Sequence, residues 1–169
     1  MVSAEMTHYP FVICRAAAGS GKTFTLVKEY LKLAMAVPDA TVRRDRAAME
    51  RHLRRQFASI LAITFTNKAA GEMKSRVMEY LEQMAHYGTD PAHSRMGAPL
   101  LEALNMMPVY RDNPLDESEL RWMAEVVYSA ILHQYSDLSV CTIDSFMHRI
   151  VRTFAHDLDR PVNFEVQIE

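Results

Sequence analysis

Lys22 and Thr23 close the octet Ala16-Ala17-Ala18-Gly19-Ser20-Gly21-Lys22-Thr23: a small residue, four free positions, then Gly-Lys-Thr. Between a strand and a helix, that spacing is the phosphate-binding loop pattern. Gly19 and Gly21 let the backbone curl so that successive N–H groups face phosphate oxygens. The helix that follows, with Phe24 in its first turn, adds the positive end of its dipole. Lys22 offers a point charge to the β- and γ-phosphates, and the Thr23 hydroxyl is suited to Mg2+. Ala16 stands where glycine is commoner, and a small side chain still fits. The chemistry is nucleotide binding. Many kinds of nucleotide-using protein share it, so the loop alone does not choose among them.

Two further stretches carry polar and aromatic residues where core packing does not ask for them. Thr64, Phe65, Thr66, Asn67 and Lys68 follow the apolar run that begins SILAI. Such residues at a strand end offer stacking and phosphate contacts to single-stranded nucleic acid. In VCTIDSFMHRIVRTFA (140–155), Thr142, Ser145 and Phe146 stand in a similar setting. Asp144 would repel phosphate, so its first role is a helix cap or a base-edge contact. A rival reading makes 140–144 a Walker B strand with Asp144 holding Mg2+ through water. The hydrolytic Glu expected next is replaced by Ser145. The other acidic pair, Asp116-Glu117, follows Pro114-Leu115 and reads as a helix start.

The elements that must position these groups follow from periodicity. FVICRA (11–16) predicts a strand, and a helix runs from about Lys22, with Phe24, Val27, Tyr30, Leu31 and Ala34 on one face, to a stop at Pro38. An Arg-rich helix is expected over 43–57 with a thin apolar side of Ala47, Leu53 and Phe57. SILAITFT (59–66) predicts a strand covered on both faces. Asn67 can cap the next helix, with Ala70, Met73, Val77, Tyr80 and Met84 inward. Residues 86–115 hold four prolines and are the least regular part. Asp116 and Glu119 form a capping-box pattern before a helix carrying Leu120, Met123, Val127, Ile131 and Tyr135. LSVCTI (138–143) predicts a strand, then a helix with Met147, Ile150, Val151, Phe154 and Leu158 inward. PVNFEVQIE alternates like a strand. Three strand-to-helix steps in series predict an α/β domain with a parallel sheet, whose ligands sit beyond the strand ends.

Composition narrows the class. The chain has 169 residues, 49 % hydrophobic and 24 % charged, ordinary values for a globular domain with a sizeable core. The start lacks a signal-peptide pattern and no apolar run approaches the ~20 residues of a bilayer span, so a cytoplasmic protein with no membrane partner is expected. Cys14 and Cys141 fall in apolar runs and read as buried reduced thiols. The histidines are scattered, with no metal-ligand spacing. Residues 43–76 carry nine Lys/Arg against Asp45, Glu50 and Glu72, so this stretch is +6 and the rest −8 in a chain of net charge −2. A locally basic surface suits a polyanionic partner. For Arg43 to Arg55, which match no motif, a solvated connecting helix is expected over a DNA-facing stripe.

The stretch ILAITFTNKAAGEMKSRV (60–77) resembles the second conserved motif of the UvrD/Rep superfamily of ATP-driven DNA helicases. Thr64-Phe65-Thr66-Asn67-Lys68-Ala69-Ala70 carry the match, and Glu72 and Met73 extend it. Thr142 to Phe146 resemble the Thr-x-His-Ser/Gly-Phe motif that helps hold single-stranded DNA. Asp144 in place of His, after a long segment at 86–138, looks closer to the RecB/AddA-like, exonuclease V-type branch. The resemblance covers three islands (16–27, 60–77, 138–158) in the family's order. It implies a P-loop NTPase, RecA-like fold in which 1–169 is the N-terminal part of the first motor domain, with a family-variable helical insertion at about 86–138. It implies ATP and Mg2+ as cofactors, single-stranded and duplex DNA as partners, and a partner nuclease or helicase subunit. The glutamine-bearing adenine motif, the Asp-Glu motif, the arginines that sense the γ-phosphate and the second RecA-like domain are not recognisable. An N-terminal fragment, inactive alone, is therefore expected. The alternatives are a complete small P-loop kinase, with Asp144 as metal-bound acid and an arginine lid from 43–55, or a non-catalytic nucleotide-binding module.

Overall fold

The computed structural model describes residues 21–85 and 95–154. The strand expected at 11–16, the loop residues Ala16 to Ser20, Leu158 and the final strand-like run lie outside the described residues.

Helix α1 (Lys22–Met35) starts from Gly21, whose φ of 80° is left-handed, a conformation that favours glycine. The first turn is closed by the Thr25 N–H donating to the Gly21 carbonyl at 2.9 Å. Val27, Tyr30, Leu31 and Ala34 are buried as the periodicity requires. The helix expected over 43–57 is instead two: α2 (Ala40–Arg44) and α3 (Arg46–Gln56), with a 3-10 turn (Phe57–Ser59) after them. Asp45 causes the break. Its carboxylate accepts from the N–H groups of Ala47 and Ala48 at 2.9 and 3.0 Å, a local bond that competes with helix continuation. The inward side is Met49, Leu53 and Phe57, while Ala47 faces solvent.

Strands β1 (Ala62–Thr64) and β2 (Val140–Thr142) pair in parallel with Ala62, Ile63 and Thr64 beside Val140, Cys141 and Thr142. The run expected over 59–66 is thus only three residues of strand. It is also open on one side, with Ile63 43 % exposed, whereas β2 is buried throughout. Among the described residues the sheet has two strands, and the architecture is mostly helical α/β.

The core lies between helices. α4 (Asn67–Ala85) buries Ala70, Met73, Val77, Tyr80 and Met84 as expected, and packs along α6 (Glu117–His133). α6 also carries α3 on its other flank and buries Leu120, Met123, Val127 and Ile131. Tyr135 lies beyond the end of α6 in a 3-10 turn and is half exposed. α5 (Gly97–Asn105) occupies part of the stretch that reads as least regular. Pro99 is tolerated there because a first-turn N–H has no helical acceptor to lose. The Asn105 side chain brackets Leu115, donating to its carbonyl at 3.0 Å and accepting its N–H at 2.7 Å. This ties off the Pro-rich loop, and buried Tyr110 anchors it by donating to the Met35 carbonyl at 3.3 Å.

α7 (Ile143–Thr153) departs from expectation. None of its residues is buried, and Met147 and Phe154 are half exposed. The helix rests on the ends of β1 and β2 by its N-terminal part, so nothing among the described residues covers its apolar stripe. Among the described residues, no helix is long and apolar enough to cross a membrane.

Candidate functional site

Parallel pairing brings the two polar strand ends together. Thr64 and Thr142 are register partners, and the Thr64 hydroxyl donates to the Thr66 carbonyl at 3.1 Å. Immediately beyond them, a cleft of about 870 Å³ is lined from β1 and α4 by Phe65, Thr66 and Asn67. From β2 and α7 it is lined by Thr142, Asp144, Ser145, His148, Arg149 and Arg152. Phe65 is 88 % exposed, the most exposed of the large apolar side chains described. A phenyl ring held in water gains nothing for folding, but offers a flat face to a base.

Each junction is fixed by a threonine. The Thr66 hydroxyl accepts the Ala69 N–H at 3.1 Å, so Thr66, and not the expected Asn67, caps α4. Thr142 caps α7 by accepting the Ser145 N–H at 3.2 Å, and its own hydroxyl donates to the Ser145 hydroxyl at 2.9 Å. Asp144 is therefore not the cap. Its carboxylate stands exposed in the first turn of α7, where the helix dipole stabilises it. Lys68 is exposed in the first turn of α4 and Phe146 is half-buried on α7, and neither lines the cleft. His148, Arg149 and Arg152 are additions that the motif reading passed over. Their spacing from Ser145, three, four and seven residues on, puts them on its helical face.

A second cleft of about 400 Å³ opens at the start of α1. Gly21, Lys22, Thr23 and Phe24 line one wall, and Arg76 and Tyr80 of α4 with Arg95 line the others. The Phe24 ring meets Tyr80 edge-on with centroids 6.0 Å apart. Lys22, Arg76 and Arg95 converge here with no carboxylate among the described lining residues. That charge set suits an anion with several negative oxygens. Ala16, Ala17, Ala18, Gly19 and Ser20 lie outside the described residues. Among the described residues, no group of His, Cys, Asp or Glu is arranged to hold a metal ion alone. Thr23 lines the cleft beside Lys22.

Three arginines of the basic stretch, Arg43, Arg46 and Arg54, make contacts within the fold, while Arg44, Arg51 and Arg55 are exposed. Arg43 Nη2 sits 2.7 Å from Glu119 Oε1, with the guanidinium over the Tyr110 ring. Its Nε and Nη2 nevertheless lack well-directed hydrogen-bond acceptors among the described residues, so the pair is a charge contact more than an aligned bond. The Arg46 guanidinium lies 3.2 Å from the Trp122 ring centroid. Arg54 donates to Glu50 one turn back on α3. The Arg43 and Arg46 contacts fasten α2 and α3 to α6 and agree with the connecting-helix expectation. The kinase alternative needs Asp144 beside Lys22, whereas Asp144 lines the Phe65 cleft.

Known proteins resemble the chain in sequence. Residues 3–169 match the family described as UvrD/REP helicase N-terminal domain. An ATP-dependent helicase/nuclease subunit from Bacillus pumilus is 32 % identical over 99 residues, 59 % of this chain and 7 % of that protein. Its counterpart from Carboxydothermus hydrogenoformans is 28 % identical over 144 residues, 85 % of this chain and 8 % of that protein. The RecBCD enzyme subunit RecB of Buchnera aphidicola is 32 % identical over 72 residues, 43 % of this chain and 6 % of that protein. The chain thus spans less than a tenth of the length of these curated relatives. No solved structure matches it. With the family match running over nearly its whole length, the chain belongs to the UvrD/REP helicase N-terminal domain family.

Proposed function

We propose that residues 1–169 form the N-terminal part of the first RecA-like motor domain, of P-loop NTPase fold, in an ATP-dependent DNA helicase or helicase-nuclease of recombinational repair. The segment at about 86–138 is its family-variable helical insertion. ATP binds in the cleft at Lys22, with phosphates wrapped by Ala16 to Gly21. Lys22 neutralises the γ-phosphate, and Phe24 borders the site. Thr23 holds Mg2+, which adds positive charge at the β- and γ-phosphates. A second RecA-like domain supplies the other half of the site, including the hydrolytic Glu and the arginines, so these 169 residues alone turn over ATP poorly. The protein works in the cytoplasm on single-stranded and duplex DNA, beside a nuclease or helicase partner subunit.

The observation that carries this reading is the meeting of Phe65 and Thr142 in one cleft. Two stretches distant in sequence share a strand register, an aromatic ring in solvent and three basic or titratable side chains on α7. Thr64, Thr66 and Asn67, with Lys68 beside them, and Ser145 across the cleft, then track the strand's backbone while Phe65 stacks on a base; Phe146, next to Ser145 on α7, borders the interface.

The test is ATP hydrolysis, with and without single-stranded DNA, by these residues joined to the second RecA-like domain of their helicase. Phosphate release should rise with DNA and require Mg2+. It should fall by on the order of a hundredfold or more in Lys22→Ala, as expected when a main phosphate contact is lost. Turnover that ignores DNA, or that survives Lys22→Ala, overturns the reading.

A further inference from the structure

Resting on the nucleotide reading of the Lys22 cleft, we infer that Arg95 is a phosphate-binding residue of that cleft, supplied by the insertion and outside every motif match. Arg95 stands one residue before Met96, the residue that leads into α5, and Met96 and Gly97 are both buried. Its backbone is therefore fixed, although its side chain faces solvent. α5 packs against α1, the helix that Lys22 opens. The guanidinium carbon lies 5.7 Å from the centroid of Phe24, the residue after Thr23. Stacking on a ring orients a guanidinium while leaving its N–H edge free to point away. Phe24 is itself braced edge-on by Tyr80.

The cleft that results collects Lys22, Arg76 and Arg95 around about 400 Å³, with no carboxylate among the described lining residues. Three cations brought together without a counter-charge repel one another. A polyphosphate relieves that repulsion, and a planar fork is the donor best matched to its oxygens. The ligand class is a nucleoside di- or triphosphate.

The experiment measures binding of ATP, ADP and AMP by the full chain, for the wild type, Arg95→Ala, Arg95→Lys and Lys22→Ala. Loss of a charge-assisted hydrogen bond at an open site weakens binding by roughly tenfold. Arg95→Ala should therefore lose roughly tenfold in ATP affinity and far less in AMP affinity, with Arg95→Lys between. The melting temperature should stay unchanged, because Arg95 is exposed. Arg95→Ala binding ATP like the wild type, while Lys22→Ala does not, overturns the role of Arg95 and leaves the nucleotide reading intact. Equal losses for AMP and ATP overturn the phosphate assignment in favour of the base. A wild type that binds no nucleotide overturns both.

Discussion

Thr64 and Thr142 stand side by side across the parallel pair β1–β2, each the last residue of its strand. The consequence is geometric. Both strands deliver their next residues to the same end of the sheet, and both following helices, α4 and α7, start from it. In a parallel sheet this end gathers the exposed N–H groups of helix starts and the variable loop side chains, which is why ligands collect there.

Phe65→Ala should weaken binding of a single-stranded oligonucleotide by on the order of tenfold, the scale of one base–aromatic stack. Because the ring is 88 % exposed, the melting temperature should stay within error of the wild type. Fluorescence anisotropy with a labelled oligonucleotide at two salt concentrations checks this. The salt slope should be preserved, since no phosphate contact is removed. An unchanged affinity would remove Phe65 from the interface.

The helices that bury a stripe are legible from sequence, because a 3.6-residue apolar period is a direct image of packing: α4 buries every residue expected, α1 all but the half-buried Phe24, and α6 all but Tyr135, which lies past its end. Elsewhere a local bond outranked the period. Asp45 splits one predicted helix by capping the second half, and Thr66 and Thr142 take caps assigned to Asn67 and Asp144. α5 escaped notice because Pro99 and Gly97 read as breakers, although both are harmless in a first turn. At the candidate site, the motif residues announced themselves by type. Arg76, Tyr80 and Arg95 did not, since their meeting with Lys22 depends on how α4 and α5 lie against α1. The apolar stripe of α7 predicted burial that the described residues do not supply.

Glu119→Ala should destabilise the fold more than Arg43→Met. The Arg43 side chain is 8 % exposed and already lacks well-directed acceptors, so removing its partner strands a buried charge. That should cost about 2 kcal/mol, less than for a fully buried pair because the Glu119 side chain keeps some solvent contact. Replacing the guanidinium by an apolar chain of similar length removes the desolvation problem and should be near neutral. Urea midpoints of both variants decide it. Equal losses would mean that the ion pair, and not the relief of burial, dominates.

Alkaline pH should destabilise the protein partly through Tyr110. Burial pushes its phenol up from 10 to about 12, and it donates to the Met35 carbonyl. The unfolded chain releases this proton near the ordinary value while the folded chain keeps it. The contribution is therefore complete below the unfolded value and lost as pH rises through the folded one. Burial raises Tyr30 in the same direction. Tyr110→Phe should cost about 1 kcal/mol near neutrality for the lost hydrogen bond. It should flatten, without abolishing, the decline between pH 10 and 12. Denaturant titrations across that window provide the comparison, and a decline as steep as the wild type's would refute the assignment.

Thr142 carries two duties that substitution can separate. Its hydroxyl caps α7 through the Ser145 N–H, and it sits at the cleft while only 6 % exposed. Thr142→Val keeps the shape and removes the cap, and should cost about 1 kcal/mol. Fraying the first turn also displaces Ser145, so single-stranded DNA affinity should drop several-fold. Thr142→Ser restores the hydroxyl and should recover both properties. Ser145→Ala retains the backbone donor but removes the acceptor of the Thr142 hydroxyl, so it should cost at most about 1 kcal/mol while DNA affinity falls. Affinity indifferent to all three changes would mean that the β2–α7 junction shapes the fold without touching the nucleic acid, and would confine the interface to the Phe65 side of the cleft.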